Sequence, residues 1–533
     1  MDRPIVTVNQ GKLQGILEEN LLGSHHYFSF KGIPFAAPPV GELRFKDPEP
    51  PTPWEGIRDA SKNSDICAQL EHSKTQVVVG SEDCLYLNIC VPYNVYRTTG
   101  NPVMVWIHGG GYVFGSGNDT HKRFDYLVKK DVILVSVNYR LGALGFLNLD
   151  HEVASGNQGL KDQVAALKWI KENIKAFGGD PNNITVFGVS AGSTCINLLM
   201  LSPLSKGLFH KAILQSGIIT SDWAMIRNQP EANSFKLASV LGNDSKDPEK
   251  VIEFLRTIPT VKIIKAQHKV LTPEEARTLN VPFGPTIDDR AKKPFLPYPI
   301  SQLLDDDNNI PIMIGYTSHE YISLLQDTSE KTLKTMYADL PRYVGNFINS
   351  QDPEKIMQMT EKIKQKYFCN KLPFTEESIP SIIRWLSDLH FNIPIEDFVD
   401  KRRKKKHVPT YFYRFSYVGN EKIETNLINN NKLTAIGAAH TDDMSYLFYI
   451  PKYKINNPQP PAIDTKDRKM LEILTRMWTN FAKTGNPTPV LDQYVTTNWL
   501  PATADIFNYL DIGDTLQLLT ITDYNSILQE LEL

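Results

Sequence analysis

The chain is short of cysteine, of long apolar runs and of unbalanced charge, and each shortage removes a class of protein. Five cysteines in 533 residues (Cys67, Cys84, Cys90, Cys195, Cys369) are too few for a disulfide scaffold, and the odd count leaves one unpaired. No uncharged apolar stretch reaches the length of a bilayer, so no transmembrane segment is expected. The opening residues MDRPIVTVNQGKLQGI carry charge at once and lack an apolar h-region, so a cytoplasmic protein without a signal peptide is expected. A secreted location would follow if the numbering began at a mature form. The closing ILQELEL matches no retention or lipidation signal. A formal net charge of −3 gives no basis for nucleic-acid binding. Repeats, low-complexity tracts and Ser/Gly linkers are also missing, and one domain over residues 1–533 is the economical reading.

What is present is a large apolar fraction, 41%, arranged as strands alternating with helices. Residues 5–16 alternate like strands. Residues 28–54, FSFKGIPFAAPPVGELRFKDPEPPTPW, are too rich in proline for regular structure and should lie extended, pinned by Phe30, Phe35, Phe45 and Trp54. Strands are expected at 81–92, 102–107, 131–139, 184–187, 211–216, 311–316 and 410–417. The wholly apolar run PVMVWI at 102–107 has the character of a strand buried on both faces. Between residues 156 and 177, Leu160, Val164, Leu167, Ile170, Ile174 and Phe177 recur at helical spacing, and Gly178-Gly179-Asp180-Pro181 should stop that helix. Strand, helix and strand in this order predict a parallel βαβ unit, and so an α/β fold with a large, mostly parallel twisted sheet flanked by helices. Long helical stretches follow, including 328–402. The basic run KRRKKK at 401–406 is read as a solvated helix end before the strand at Thr410, where cations suit the helix dipole.

Chemistry concentrates at Asn182–Met200, NNITVFGVSAGSTCINLLM. Here a β-branched run passes through Gly188-Val189-Ser190-Ala191-Gly192 into an apolar helical pattern. Strand, Gly-x-Ser-x-Gly and helix are the context of a nucleophile elbow, in which a strained turn lifts the serine hydroxyl clear of the sheet. The pentapeptide alone also fits an ordinary strand-to-helix turn. A second signal is His108-Gly109-Gly110-Gly111-Tyr112, directly after the strand at 102–107. Three glycines in a row cost conformational entropy, which close approach of backbone N–H groups to a ligand oxygen would justify. A flexible turn is the plainer alternative.

A serine hydroxyl needs a histidine to take its proton and a carboxylate to orient that histidine. On such a sheet the order is Ser, then acid, then His, with acid and base just past strand ends. Glu320 lies immediately beyond the strand at 311–316, and His440 sits in GAAHTDDMSYLF behind small residues. His319, His390 and His407 compete for the role of base. His319 is beside the expected acid, and His407 adjoins the basic run, where like charges oppose protonation.

Taken together, FKGIPFAAPPVGELRF, SEDCLYLN, MVWIHGGGYVFGSG, VNYRLGALGFL, GNQGLKDQVAALKWIKENIKAFGGDPNNITVFGVSAGS, LFHKAILQSG and GAAHTDDMSYLF resemble the type-B carboxylesterase/cholinesterase family of α/β-hydrolases over nearly the whole length. The nearest subclass by this resemblance is the detoxifying α-esterases of insects. The resemblance implies Ser190 as nucleophile, Glu320 as acid and His440 as base, in agreement with the spacing. It implies an oxyanion hole from the N–H groups of Gly110, Gly111 and Ala191, a substrate pocket including Trp223, Val189 and Tyr112, and a disulfide between Cys67 and Cys84. It further implies small-molecule ester substrates, organophosphate and carbamate inhibitors, and neither a metal nor an organic cofactor. It does not choose between monomer and homodimer.

Two departures bear on substrate. Val189 stands where the family commonly has Glu, and Tyr321 follows the acid where Gly is usual. With no carboxylate beside Ser190, and no tryptophan in the Cys67–Cys84 loop for cation–π binding, neutral apolar esters are expected rather than choline esters. The Gln typical of juvenile hormone esterases before the serine is also missing. A non-catalytic adhesion protein of the same superfamily, a choline esterase and a hormone-specific esterase are the alternatives. Asn-x-Ser/Thr sequons occur at Asn118, Asn183 and Asn243.

Overall fold

A computed structural model describes residues 3–522, except 24, 72–75, 97, 228, 306–308, 370–372, 406–407, 422–435 and 455–456. The sheet that positions the site has eleven strands: β1 (Ile16–Glu19), β2 (His26–Pro34), β3 (Tyr86–Pro92), β4 (Asn101–Ile107), β5 (Ile133–Val137), β6 (Gly179–Val189), β7 (Lys211–Gln215), β8 (Ile312–Thr317), β9 (Thr410–Phe415), β10 (Asn508–Ile512) and β11 (Leu516–Thr520). Their spatial order is β11-β10-β9-β8-β7-β6-β4-β5-β3-β2-β1. The run from β5 through β4 and β6 to β10 is parallel, and antiparallel pairs close both edges. This is the large, mostly parallel α/β sheet expected from the strand–helix alternation, and its hydrolase arrangement is the one that the family resemblance implies.

Both faces of the central strands are apolar for a physical reason. In β4, Val103, Val105 and Ile107 enter one core layer while Met104 and Trp106 enter the other. Helices α1 (Gln158–Asn173) and α2 (Ala191–Leu201) contribute to the first layer, and α5 (Lys466–Thr484) covers the second. A third cluster lies among the helices between Tyr321 and Ile393, including α3 (Ile379–Ser387). Helix α1 continues as a 3₁₀ turn (Ile174–Phe177) and stops at Gly178, whose φ of 85° closes the turn on the carbonyls of Ile174 and Lys175. The βαβ crossover from β5 returns at β6 on the far side of β4, so the elbow strand sits at the centre of the sheet.

Two expectations need correction. The proline-rich segment is irregular only after Pro34, because His26–Pro34 pairs with β3 as a full strand. Its prolines other than Pro34 cluster beyond the paired residues; Phe35 and Phe45 are buried there, and Trp54 donates its indole N–H to the Lys12 carbonyl at 2.9 Å. The basic run does end helix α4 (Ile393–Lys405), but it is not simply solvated. Arg402 is buried and donates to Thr410 Oγ1 and the Ile310 carbonyl; Arg403 reaches Asp400, the carbonyls of Thr503 and Ala504, and the face of Phe507. The amino end alternates as strands as expected: Ile5–Val8 and Gly11–Gln14 form a small sheet with Ile57–Asp59, and the third short strand joins the main sheet.

Cys67 and Cys84 are joined as a disulfide. Asn118 is buried and its Nδ2 donates to the Ser64 carbonyl, which occupies the atom a glycan would need. No helix among the described residues is long and apolar enough to cross a membrane.

Candidate active site

The site is assembled at the carboxyl ends of three adjacent parallel strands. Val189, the last residue of β6, pairs with Gln215 at the end of β7, and Gln215 pairs with Gly315 in β8. The ladder runs on past these ends: Ser190 N–H donates to the Gln215 carbonyl and Ser216 N–H to the Gly315 carbonyl, both at 2.8 Å. Ser190 therefore leaves β6 in register with β7, and β7 is in register with β8, whose continuation carries Glu320.

Ser190 has φ 58° and ψ −129°, a conformation rarely held by a residue with a side chain, and it heads helix α2. Its neighbours make room. A Cβ on Gly188 would lie 2.5 Å from the Ile107 carbonyl oxygen, and one on Gly192 2.3 Å from the same atom. The two glycines of the pentapeptide thus let the turn press against the end of β4. A Cβ on Gly109 would meet the Val189 carbonyl at 2.4 Å and Ser190 Cβ at 3.2 Å, so the glycine run after β4 lies directly against the elbow. Gly110 has φ 115° and Gly111 φ 56°. Tyr112, Ser190, Ser216 and Thr441 also take positive φ without being glycine, so strain gathers around the site.

His440 Nδ1 donates to Glu320 Oε2 at 2.5 Å, and the contact is buried. Glu320 is itself fully buried, and its other oxygen, Oε1, accepts from Ser216 Oγ at 2.6 Å and Thr317 N–H at 2.7 Å. Each of these bonds favours a fixed carboxylate rotamer in a medium of low polarity. The His440 loop is tied to the acid by backbone as well: His319 N–H donates to the Ala438 carbonyl and His440 N–H to the Glu320 carbonyl. Nearby, Asp443 accepts from Gln215 Nε2 at 2.7 Å, while Trp478 donates to the Oε1 of the same glutamine. Burial and the neighbouring Glu320 charge push the Asp443 carboxyl up to about 7, against the opposing pull of the Gln215 bond.

The competing histidines have other partners. His319 bonds Ser318 Oγ and packs against Gly437, and His390 pairs with Asp222. His407 lies outside the described residues. His108 stacks on Tyr139 beneath the glycine run, and burial lowers its pKa to about 3, so it stays neutral.

Among the expected pocket residues, Trp223 stands near the base: its ring is 5.6 Å from Phe391, and Phe391 is 5.0 Å from the His440 ring. Tyr112 is fully buried and its hydroxyl is spent on the Ala224 carbonyl, so it braces the glycine run against the loop of Trp223. Val189 is buried in the same core layer as Phe187, Ala438 and Met444. Phe391, Ser216, Gln215 and Asp443 are site neighbours that sequence reasoning missed. Ser216 and Gln215 were signalled only by their place at a strand end.

Comparison with known proteins agrees with this architecture. Residues 2–527 match the model of the carboxylesterase family. The chain is 32% identical to esterase FE4 of Myzus persicae, over 96% of this chain and 89% of that protein. It is 35% identical to a juvenile hormone esterase of Tribolium castaneum, over 91% of this chain and 84% of that protein. Among solved structures it resembles juvenile hormone esterase from Manduca sexta with OTFP covalently attached, at 30% identity and a TM-score of 0.87, covering 100% of this chain and 99% of that one. The chain belongs to the carboxylesterase family of α/β-hydrolases.

Proposed function

We propose that this protein is a serine carboxylesterase that cleaves neutral, apolar carboxylic esters through an acyl-enzyme. The observation that carries the proposal is the strained Ser190 turn and the buried Glu320–His440 hydrogen bond, with Ser190 and Glu320 just past the ends of β6 and β8 on either side of β7. Ser190 Oγ attacks the ester carbonyl as His440 accepts its proton, and Glu320 holds the imidazole in the tautomer with Nδ1–H. The N–H groups of Gly110, Gly111 and Ala191 stabilise the oxyanion. His440 protonates the departing alcohol, then activates water to release the acid.

Substrate class rests on Val189. An apolar residue at the position before the nucleophile leaves no anion there to attract a cationic alcohol group, which favours general carboxylesterase activity on esters of xenobiotics, pheromones or lipids. An organophosphate or carbamate would react at the same oxygen, and slow release would make the protein a sink for such compounds. The likeness to juvenile hormone esterases in both sequence and structure supports a second reading, hydrolysis of juvenile hormone.

The test is hydrolysis of 1-naphthyl acetate and of juvenile hormone by the wild type and by Ser190→Ala. Loss of turnover in a folded Ser190→Ala protein is expected; retained turnover contradicts the assignment. Juvenile hormone cleavage far exceeding that of simple esters would favour the second reading.

A further inference from the structure

The helix that follows the third core cluster is interrupted. Between α3 and α4, residues Asp388–Asn392 form a π turn, the kind of local widening that costs helical regularity and recurs at functional sites. Two consecutive residues of that turn point to the chemistry. Phe391 packs on the His440 ring, and His390 is fully buried with Nδ1 at 2.9 and 3.0 Å from the two carboxylate oxygens of Asp222. Asp222 precedes Trp223 and is itself buried, with 3% side-chain exposure.

A second bond runs parallel to the first. Pro394 has no N–H to give to the carbonyl four residues earlier, that of His390. Trp223 Nε1 donates to this carbonyl instead, at 3.0 Å. Thr220 Oγ1 adds a bond to the Pro394 carbonyl at 3.2 Å. The His390 ring also stacks on Tyr321, the residue directly after Glu320, at 5.6 Å. Tyr321 N–H is anchored on Ser387 Oγ, so this side is fixed as well. His390 Nε2 has no hydrogen-bond partner among the described residues. A buried histidine with one nitrogen unsatisfied carries a cost, which the pairing of its other nitrogen with a carboxylate offsets.

We propose that Asp222 and His390 are a positioning pair that sets acyl-chain selectivity by clamping the two aromatic walls, Trp223 and Phe391, at a fixed separation beside His440. The proposal rests on the esterase reading given above. Neither residue needs to touch substrate. The clamp acts because each partner is the chain neighbour of a wall residue, so releasing it frees both rings at once. A held wall limits the room for the acyl group; a released wall admits longer chains and rewards them with additional apolar contact.

The experiment measures kcat and KM for 4-nitrophenyl acetate and 4-nitrophenyl octanoate in the wild type, Asp222→Ala, His390→Ala and His390→Gln. Pre-steady-state burst titration of each protein counts competent Ser190. In both alanine variants the octanoate-to-acetate ratio of kcat/KM should rise about tenfold, the scale on which a hydrophobic pocket discriminates a chain that fits. His390→Gln retains a donor toward Asp222 and should stay within about threefold of the wild-type ratio. If the alanine variants do not accumulate as folded protein, Trp223→Phe decides. It keeps a ring in place but removes the bond to the His390 carbonyl, and it should move the ratio in the same direction. Ratios unchanged in these variants, or equal falls for both esters at an undiminished burst, overturn the clamp while leaving the esterase reading intact. A wild type without any burst overturns the esterase reading itself.

Discussion

Glu320 is fully buried and held by three donors, His440 Nδ1, Ser216 Oγ and Thr317 N–H. Replacing it by Gln keeps the shape but removes the charge that fixes the His440 tautomer and stabilises the imidazolium. Steady-state kinetics of Glu320→Gln should show kcat reduced by about 10³–10⁴-fold, by analogy with the acid of other triads, with KM little changed. Ser216→Ala removes one of the acid's donors and leaves its Oε1 on the Thr317 amide alone. A hydrogen bond to a charged group contributes about 1.5–3 kcal/mol, so kcat/KM should fall by about tenfold or more. Asp443 gives a pH signature. Its carboxyl keeps a proton up to about pH 7 in the fold but loses it near the ordinary value of 3.8 when unfolded. The native state then binds more protons across that window, so this residue lowers stability as pH rises from about 4 to 7. Denaturant melts of Asp443→Asn should show a shallower decline over that range than the wild type; an unchanged slope would refute the assignment.

At the scale of elements, the elbow depends on two close approaches. A methyl on Gly192 would sit 2.3 Å from the Ile107 carbonyl and 2.7 Å from that of His108, both backbone atoms with little freedom to move. Gly192→Ala should therefore displace α2 from β4, lowering the melting temperature and abolishing the burst of acyl-enzyme; full activity in that variant would contradict the packing account. The strands that build this region were legible because continuous apolar runs such as 102–107 mark strands covered on both faces. The strand His26–Pro34 was hidden because its residues share a segment with prolines of which all but the terminal Pro34 lie outside the paired stretch. The π turn at Asp388–Asn392 left no trace in the pattern: the partner of its His390 carbonyl, which Pro394 leaves free, is a tryptophan distant in sequence, which periodicity cannot carry. For the same reason the basic run looked solvated, since the acceptors at Thr503 and Ala504 are remote in sequence.

Across the whole molecule, chain order, local context and the family resemblance together nominated Ser190, Glu320 and His440, because the fold restricts where acid and base enter relative to the elbow. The residues supporting them were not legible, as Ser216, Gln215 and Asp443 acquire meaning only when β6, β7 and β8 lie side by side. The Cys67–Cys84 link closes a segment with a separation of 17 residues. A loop of about that size contributes on the order of 3 kcal/mol in the chain-entropy account, so Cys67→Ser/Cys84→Ser should unfold at lower denaturant with little loss of kcat. The most direct measurement of the central claim is covalent titration with a fluorophosphonate, read by intact mass and by peptide mapping. Loss of esterase activity should track one adduct per chain, located on Ser190 and absent from Ser190→Ala. An adduct on another residue, or activity that survives complete modification of Ser190, would contradict the account.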